Sequence, residues 1–196
     1  MKPYSEASEN NREPILVVLR EAFAQVASVL EIGSGTGQHA VHFAQHMPHL
    51  TWQTSDLPMH HSGIQAWLDE ALLSNVRSPI ALDVNHTPWP IAPVDGVFTA
   101  NTLHIISWPE VACLLEGVGQ VLRSGGALCI YGPFNYGGQF TSESNARFDL
   151  WLKARDPLSG VRDFEAVCEI AEKHGLALQQ DHAMPVNNRT LVFHKR

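Results

Sequence analysis

A short apolar run, Val29-Leu30-Glu31-Ile32, leads into Gly33-Ser34-Gly35-Thr36-Gly37, and two acids follow at intervals, Asp56 and Asp83. Alternating glycines permit positive φ and let the backbone come close to a ligand, so something flat or polar is expected over that turn. A carboxylate is an acceptor of hydrogen bonds: Asp56 suits two ribose hydroxyls, and Asp83 an exocyclic adenine amine. A phosphate-binding loop fails, because it needs Gly-Lys-Ser/Thr after four intervening residues and this chain has Gln38-His39-Ala40 in that region. A dinucleotide loop wants a glycine at its sixth position, and counted from Gly33 the sixth is Gln38. A nucleoside without phosphates fits better than NAD, and an NAD-linked oxidoreductase is the lesser reading.

Other residue types carry chemistry of their own. His104, with an unperturbed pKa near 6.5, suits proton abstraction near neutral pH, against the plainer role of a packed loop histidine. Arg12 lies in an unusually polar leader, residues 1–13, which either folds over the ligand as a lid or frays; its guanidinium suits a carboxylate. Tyr136 belongs to a loop and helix over 133–162 that mixes aromatic residues with Arg147, Arg155 and Arg162, a composition fit to hold an aromatic or anionic acceptor. Asn187, beside Asn188 and Arg189, punctuates the last turn, either as turn chemistry or as part of that acceptor pocket. His39, His42 and His46 share a helix but lack the Glu of a two-histidine hydrolase motif, so no metal site is expected. No Gly-x-Ser-x-Gly elbow supports a hydrolase.

The elements that must position these residues follow from periodicity. Pro14 opens a first helix with Ile15, Val18, Leu19, Ala22 and Val26 on one face. Strands are expected over 29–32, 50–55, 79–82, 96–100 and 127–131, alternating with helices over about 38–47, around Ile64 to Leu72, and from the Ser107-Trp108-Pro109-Glu110 capping box to a stop at Gly125 and Gly126. After the loop that starts at Gly132 come helices over 142–155 and 163–174, then two strands, 176–184 and 190–195, close enough to pair antiparallel. Strands alternating with helices argue for a mostly parallel sheet with its ligand crevice at the carboxyl ends of the strands. The expectation is a single α/β Rossmann-like domain over 1–196: a seven-stranded, mostly parallel sheet, helices on both faces and an antiparallel C-terminal strand.

At these residues the sequence resembles the class I S-adenosylmethionine-dependent methyltransferases. Their first motif is similar to Glu31 to Gly37, their next two acids to Asp56 and Asp83, their fourth-strand motif to Asp95 to His104, and their fifth-strand signature to Leu122 to Leu128. Ser124 stands where a Pro is common. Asn10 to Leu16, Gly132-Pro133-Phe134, Arg155-Asp156-Pro157 and Met184 to Asn188 are further similar to a methyltransferase-like subgroup long defined only as a domain of unknown function. The resemblance implies S-adenosylmethionine as cofactor, with contacts from Glu31, Gly33, Ser34, Gly35, Gly37, Asp56, Leu57, Asp83, Val84 and Asn101. Glu31 would lie near the methionine amino group. It implies direct displacement onto a small-molecule acceptor, and it leaves that acceptor unnamed; a nucleoside-binding regulatory module without turnover is the non-enzyme alternative.

Composition narrows the partners. Thirteen Lys and Arg against twenty Asp and Glu give a formal charge of −7, and no basic run offsets it, so nucleic acid is a poor partner. No stretch of about 18 uncharged apolar residues occurs, which argues against a membrane span. The N-terminus does not read as a secretion signal, so the cytoplasm is the default location. Cys113, Cys129 and Cys168 lie far apart within apolar runs and read as free thiols.

Overall fold

The computed structural model describes residues 2–196; Met1, the first residue of the expected leader, lies outside them. Helix α1 (Glu6–Ala22) precedes β1 (Ser28–Ile32), and the order continues α2 (Gln38–His46), β2 (Thr51–Asp56), α3 (His61–Ala71), β3 (Val76–Ala81), β4 (Val94–Ala100), α4 (Trp108–Val121) and β5 (Leu122–Gly132). Then come β6 (Phe134–Asn135), α5 (Glu143–Arg155), β7 (Arg162–Asp163), α6 (Phe164–Lys173), β8 (Leu176–Met184) and β9 (Asn188–Lys195).

Seven strands form one sheet in the order β3-β2-β1-β4-β5-β9-β8, and β6 pairs with β7 in a small second ladder. The first five strands are mutually parallel, whereas β9 runs antiparallel to both β5 and β8. The expected architecture is thus the observed one. Chain order reverses direction between β1 and β4, which opens a crevice above their carboxyl ends.

Because successive side chains of a strand point to opposite faces, each central strand feeds two cores. Leu30, Val97, Leu128, Leu191 and Phe193 pack with Val111, Leu114, Leu115 and Val118 of α4 and Val167 of α6. Val29, Phe98, Cys129 and Val192 pack on the other face with Ile15 and Leu19 of α1, Phe43 of α2 and Trp52. Phe98 sits edge-on to Phe43 at 5.3 Å between ring centroids.

Three boundaries depart from the sequence expectation. Helix α1 begins at Glu6, eight residues before Pro14, because the Ser5 hydroxyl accepts from the Ser8 amide and Glu6 and Glu9 place negative charge in the first turn. Pro14 is therefore inside the helix, where it removes one hydrogen bond rather than opening the element. Helix α4 ends at Val121, not at the glycine pair, since Leu122 is already extended and pairs with Val94; the glycines fall within β5. Strand β3 starts at Val76 and contains Pro79, which is tolerated because β3 is an edge strand. Among the described residues no helix is long and apolar enough to cross a membrane.

Candidate active site

The carboxyl ends of β3, β2, β1, β4 and β5 line up as one rim. Their register is tied by backbone hydrogen bonds: Leu82 N–H donates to the Asp56 carbonyl at 3.1 Å, Ser34 N–H to the Ser55 carbonyl at 2.9 Å, and Asn101 N–H to the Tyr131 carbonyl at 2.9 Å. Asp83, Asp56, the glycine turn and Asn101 therefore stand in a row, in the order that the sheet dictates.

In the turn, Gly33, Gly35 and Gly37 take φ of 71°, 56° and 90°. They do different work. A side chain at Gly35 would meet nothing within 4 Å, so the backbone there faces open space that a ligand can approach. A side chain at Gly37 would sit 3.0 Å from Ile64 Cα, so this glycine lets α2 pack against α3. Gly33 abuts the Thr102 hydroxyl, 3.0 Å from where a Cβ would lie, which joins the turn to the end of β4.

The two acids at the rim are half-buried and oriented by main chain. Asp56 accepts from Gly35 N–H and Leu57 N–H, each at 2.7 Å. Four lone-pair positions less two leave two free, the number two vicinal hydroxyls require. Asp83 accepts from Asn85 N–H at 2.9 Å and lies 3.0 Å from the His86 ring; these contacts hold its carboxyl below the usual range. Leu57 is exposed at the rim, and Val84 packs on the α4 core.

Glu31 is not at the rim. Its carboxylate is buried, accepting from Ser34 Oγ at 2.9 Å and Trp52 Nε1 at 3.1 Å, and burial raises its pKa to about 7. Ser34 Oγ in turn accepts from Ser55 N–H at 3.2 Å, so both side chains brace the turn from below instead of facing a ligand. The sequence expectation sets Glu31 near an amino group; β1 directs its carboxylate to Ser34 and Trp52.

Four further expected residues are placed elsewhere. His104 is buried, edge-on to Phe148 at 5.2 Å; burial and the Arg162 charge lower its pKa to about 4, so it is a weak base packed behind the rim. Arg12 is paired with Glu9 at 2.6 Å on the outer side of α1 and does not line the cavity beside the rim. Tyr136 donates to Asp181 at 2.8 Å and stacks on Phe164, fastening the loop after β5 to β8. Asn187 adopts φ of 60°, and its carbonyl accepts from Asn145 Nδ2 at 3.1 Å, a turn role. Burial holds His39 near pKa 4 and neutral, and no cluster of three metal-ligating side chains occurs among the described residues.

Their neighbours line a cavity of about 180 Å³ beside the rim: Asn11 and Asn10 of α1, Asn101, Tyr131, and Asn188 of β9. A larger cavity of about 640 Å³ lies at the other end of the sheet, around Asp95, Arg123 and Gly126. It holds no expected site residue and is at the amino ends of the strands, the wrong end for an α/β ligand site.

A family model described as "Protein of unknown function (DUF938)" matches residues 2–195. The chain belongs to that family. In architecture the DUF938 chain is similar to an O-methyltransferase family protein from Burkholderia thailandensis, at 19% identity and TM-score 0.83, over 93% of this chain and 55% of that one. It is similar to an O-methyltransferase family 2 protein from Planctomyces limnophilus, solved with apigenin, at 17% identity and TM-score 0.86, over 97% and 58%. Human N-acetylserotonin methyltransferase, solved with S-adenosylmethionine, matches at 14% identity and TM-score 0.83, over 97% and 53%. The DUF938 chain thus shares their fold while spanning about half their length.

Proposed function

We propose that this chain is an S-adenosylmethionine-dependent methyltransferase acting on a small-molecule acceptor. One observation carries the reading: the open Gly35 backbone and the half-satisfied Asp56 carboxylate meet at one rim, with Asp83 one strand further along. That donor set fits a nucleoside that is anchored by its hydroxyls and base and needs no pyrophosphate cradle. Gly33, Gly35, Asp56, Leu57, Asp83, Val84 and Asn101 are assigned to cofactor contact, and Glu31, Ser34 and Gly37 to holding the turn. When bound, the cofactor supplies a methyl on a cationic sulfur, which displacement leaves as a neutral thioether while the acceptor's proton passes to water. The chain's part is to hold the acceptor in line, and orientation of this kind supplies much of the rate. His104 is not needed as a base.

Calorimetric titration of the whole chain tests this, using S-adenosylmethionine, its demethylated product and NAD. Micromolar binding of the first two alone supports the reading. NAD binding favours an oxidoreductase, and binding of neither sulfur nucleoside overturns the assignment. Binding without transfer to any acceptor points to a regulatory module.

A further inference from the structure

The small cavity beside the rim combines features that select a ligand. Its α1 wall is Ala7, Asn10, Asn11 and Pro14, the i, i+3, i+4, i+7 spacing of one helix face. Asn101, Tyr131 and Asn188 supply the opposite walls, and Pro185 and Val186 the apolar remainder. No Asp, Glu, Lys, Arg or His lines it, although acids and bases abound on the surface nearby. An ion placed there would lose hydration with no counter-charge to replace it.

Its hydrogen-bonding groups are directed. Asn11 Oδ1 lies 2.7 Å from His39 Nε2, a contact whose donor is set by the imidazole tautomer, and the Asn11 side chain also reaches the Tyr131 oxygen. Tyr131 stays protonated because burial outweighs the Asn11 and Asn188 side chains beside its oxygen, which leaves an O–H donor. Pro14 has no N–H, so the Asn10 carbonyl, one turn earlier on the same cavity face, lacks its helical donor and remains an acceptor. A donor and an unfilled backbone acceptor therefore share one neutral chamber.

The chamber also touches the nucleoside rim. Asn101 takes φ of 57°, and the adjoining Thr102 backs onto Gly33, while His39, the partner of Asn11, is the second residue of α2 after the glycine turn. The Asn101–Thr102 turn is a wall common to both.

We propose that this cavity is the acceptor site and that it takes a small, uncharged molecule bearing a group that both donates and accepts, a hydroxyl or carboxamide. The inference rests on the methyltransferase reading for the word acceptor. At about 180 Å³ the chamber is smaller than the roughly 300–1,000 Å³ of drug-sized sites, so large polycyclic acceptors do not fit it.

The test uses the whole chain, isotope-labelled and saturated with the demethylated cofactor, titrated with phenol, 4-hydroxybenzoate and tyramine as neutral, anionic and cationic probes. Asn side-chain amide resonances report occupancy. Phenol is expected to shift those of Asn10, Asn101 and Asn188 with at least ten-fold tighter apparent binding than either charged probe. In Asn188→Asp the order is expected to turn toward tyramine, a reversal that loss of folding does not produce. Charged probes equalling phenol there, or an unmoved order in Asn188→Asp, overturns the assignment while leaving cofactor binding intact. Failure of the chain to bind the demethylated cofactor at all overturns the methyltransferase reading and the acceptor assignment together.

Discussion

The Gly35 amide donates to Asp56 Oδ2 at 2.7 Å, so the turn after β1 and the end of β2 share one hydrogen bond across 21 residues of sequence. The bond fixes the open backbone of the turn and the carboxylate relative to each other, and both are the proposed cofactor contacts. Replacing Asp56 with Ala removes the free acceptor positions as well as the tether. Cofactor affinity is expected to fall by about 1–3 kcal/mol in a chain that stays folded, because Asp56 is at the surface. Calorimetry beside a thermal melt checks both halves, and unchanged affinity in the folded variant removes Asp56 from the site.

The glycines of the same turn are expected to separate affinity from stability. Gly35→Ala meets open space, so it incurs only the left-handed backbone penalty, roughly 1–2 kcal/mol, while placing a methyl where the ligand approaches. Gly37→Ala adds to that penalty a collision with Ile64 Cα at 3.0 Å on a neighbouring helix, and the backbone must move. Urea unfolding should therefore show the larger stability loss in Gly37→Ala. The larger loss of cofactor affinity relative to stability belongs to Gly35→Ala.

Much of this rim was legible because it depends on spacing along the backbone: glycines after a strand, and acids at strand ends, fall where a parallel sheet must put them. The cavity proposed for the acceptor is less legible. Arg12, Tyr136 and Asn187 are the contacts the sequence suggests; none of them lines the cavity, whereas Asn11 and Asn188, next to two of them, do. A shift of one residue turns a helical side chain by about 100°, enough to move it from the cavity to the Glu9 and Glu13 side of α1. Nothing local in the sequence fixes that rotation; it follows from Ile15 and Leu19 docking on the sheet. Pro14 misled for a related reason. Proline favours the first turn of a helix, and here the Ser5 cap together with packing outweighed that preference.

Two kinds of buried group give opposite pH signatures. Glu31 has its pKa raised to about 7, so its contribution is full below the unfolded value near 4.5 and is lost as pH rises toward 7. His39, His42 and His104 have theirs lowered to about 4, so their contributions are full above about 6.5 and are lost as pH falls. Between pH 4.5 and 6.5 the three histidines oppose Glu31 and outnumber it, so net stability is expected to increase with pH there. Glu31→Gln keeps an acceptor for Ser34 and Trp52 while removing the titration, so its stability should increase more steeply with pH than that of the wild type. Denaturant midpoints at pH 5, 6 and 7 decide it: a slope in Glu31→Gln equal to or shallower than that of the wild type contradicts the assignment.

The leader is a docked strap rather than a frayed end, and its attachment makes the last prediction. Ser5 N–H donates to Gln38 Oε1 at 2.5 Å, and Gln38 Nε2 donates back to the Ser5 carbonyl at 3.3 Å. Trp67 Nε1 donates to the Pro3 carbonyl at 2.7 Å, while the Lys2 ammonium lies 3.6 Å over the Trp67 ring. These contacts hold the start of α1, the same helix that carries Asn10 and Asn11 into the chamber. Gln38→Ala removes the reciprocal pair, a net loss of about 1–2 kcal/mol confined to the strap, because the apolar part of α1 stays buried by Ile15 and Leu19. Amide exchange over residues 5–11 is expected to quicken by roughly 5–30 fold, with exchange in β4 and β5 unchanged. Equal acceleration throughout would show that the strap supports the whole fold. No change at residues 5–11 would show that Trp67 and the Ser5 cap hold the strap without Gln38.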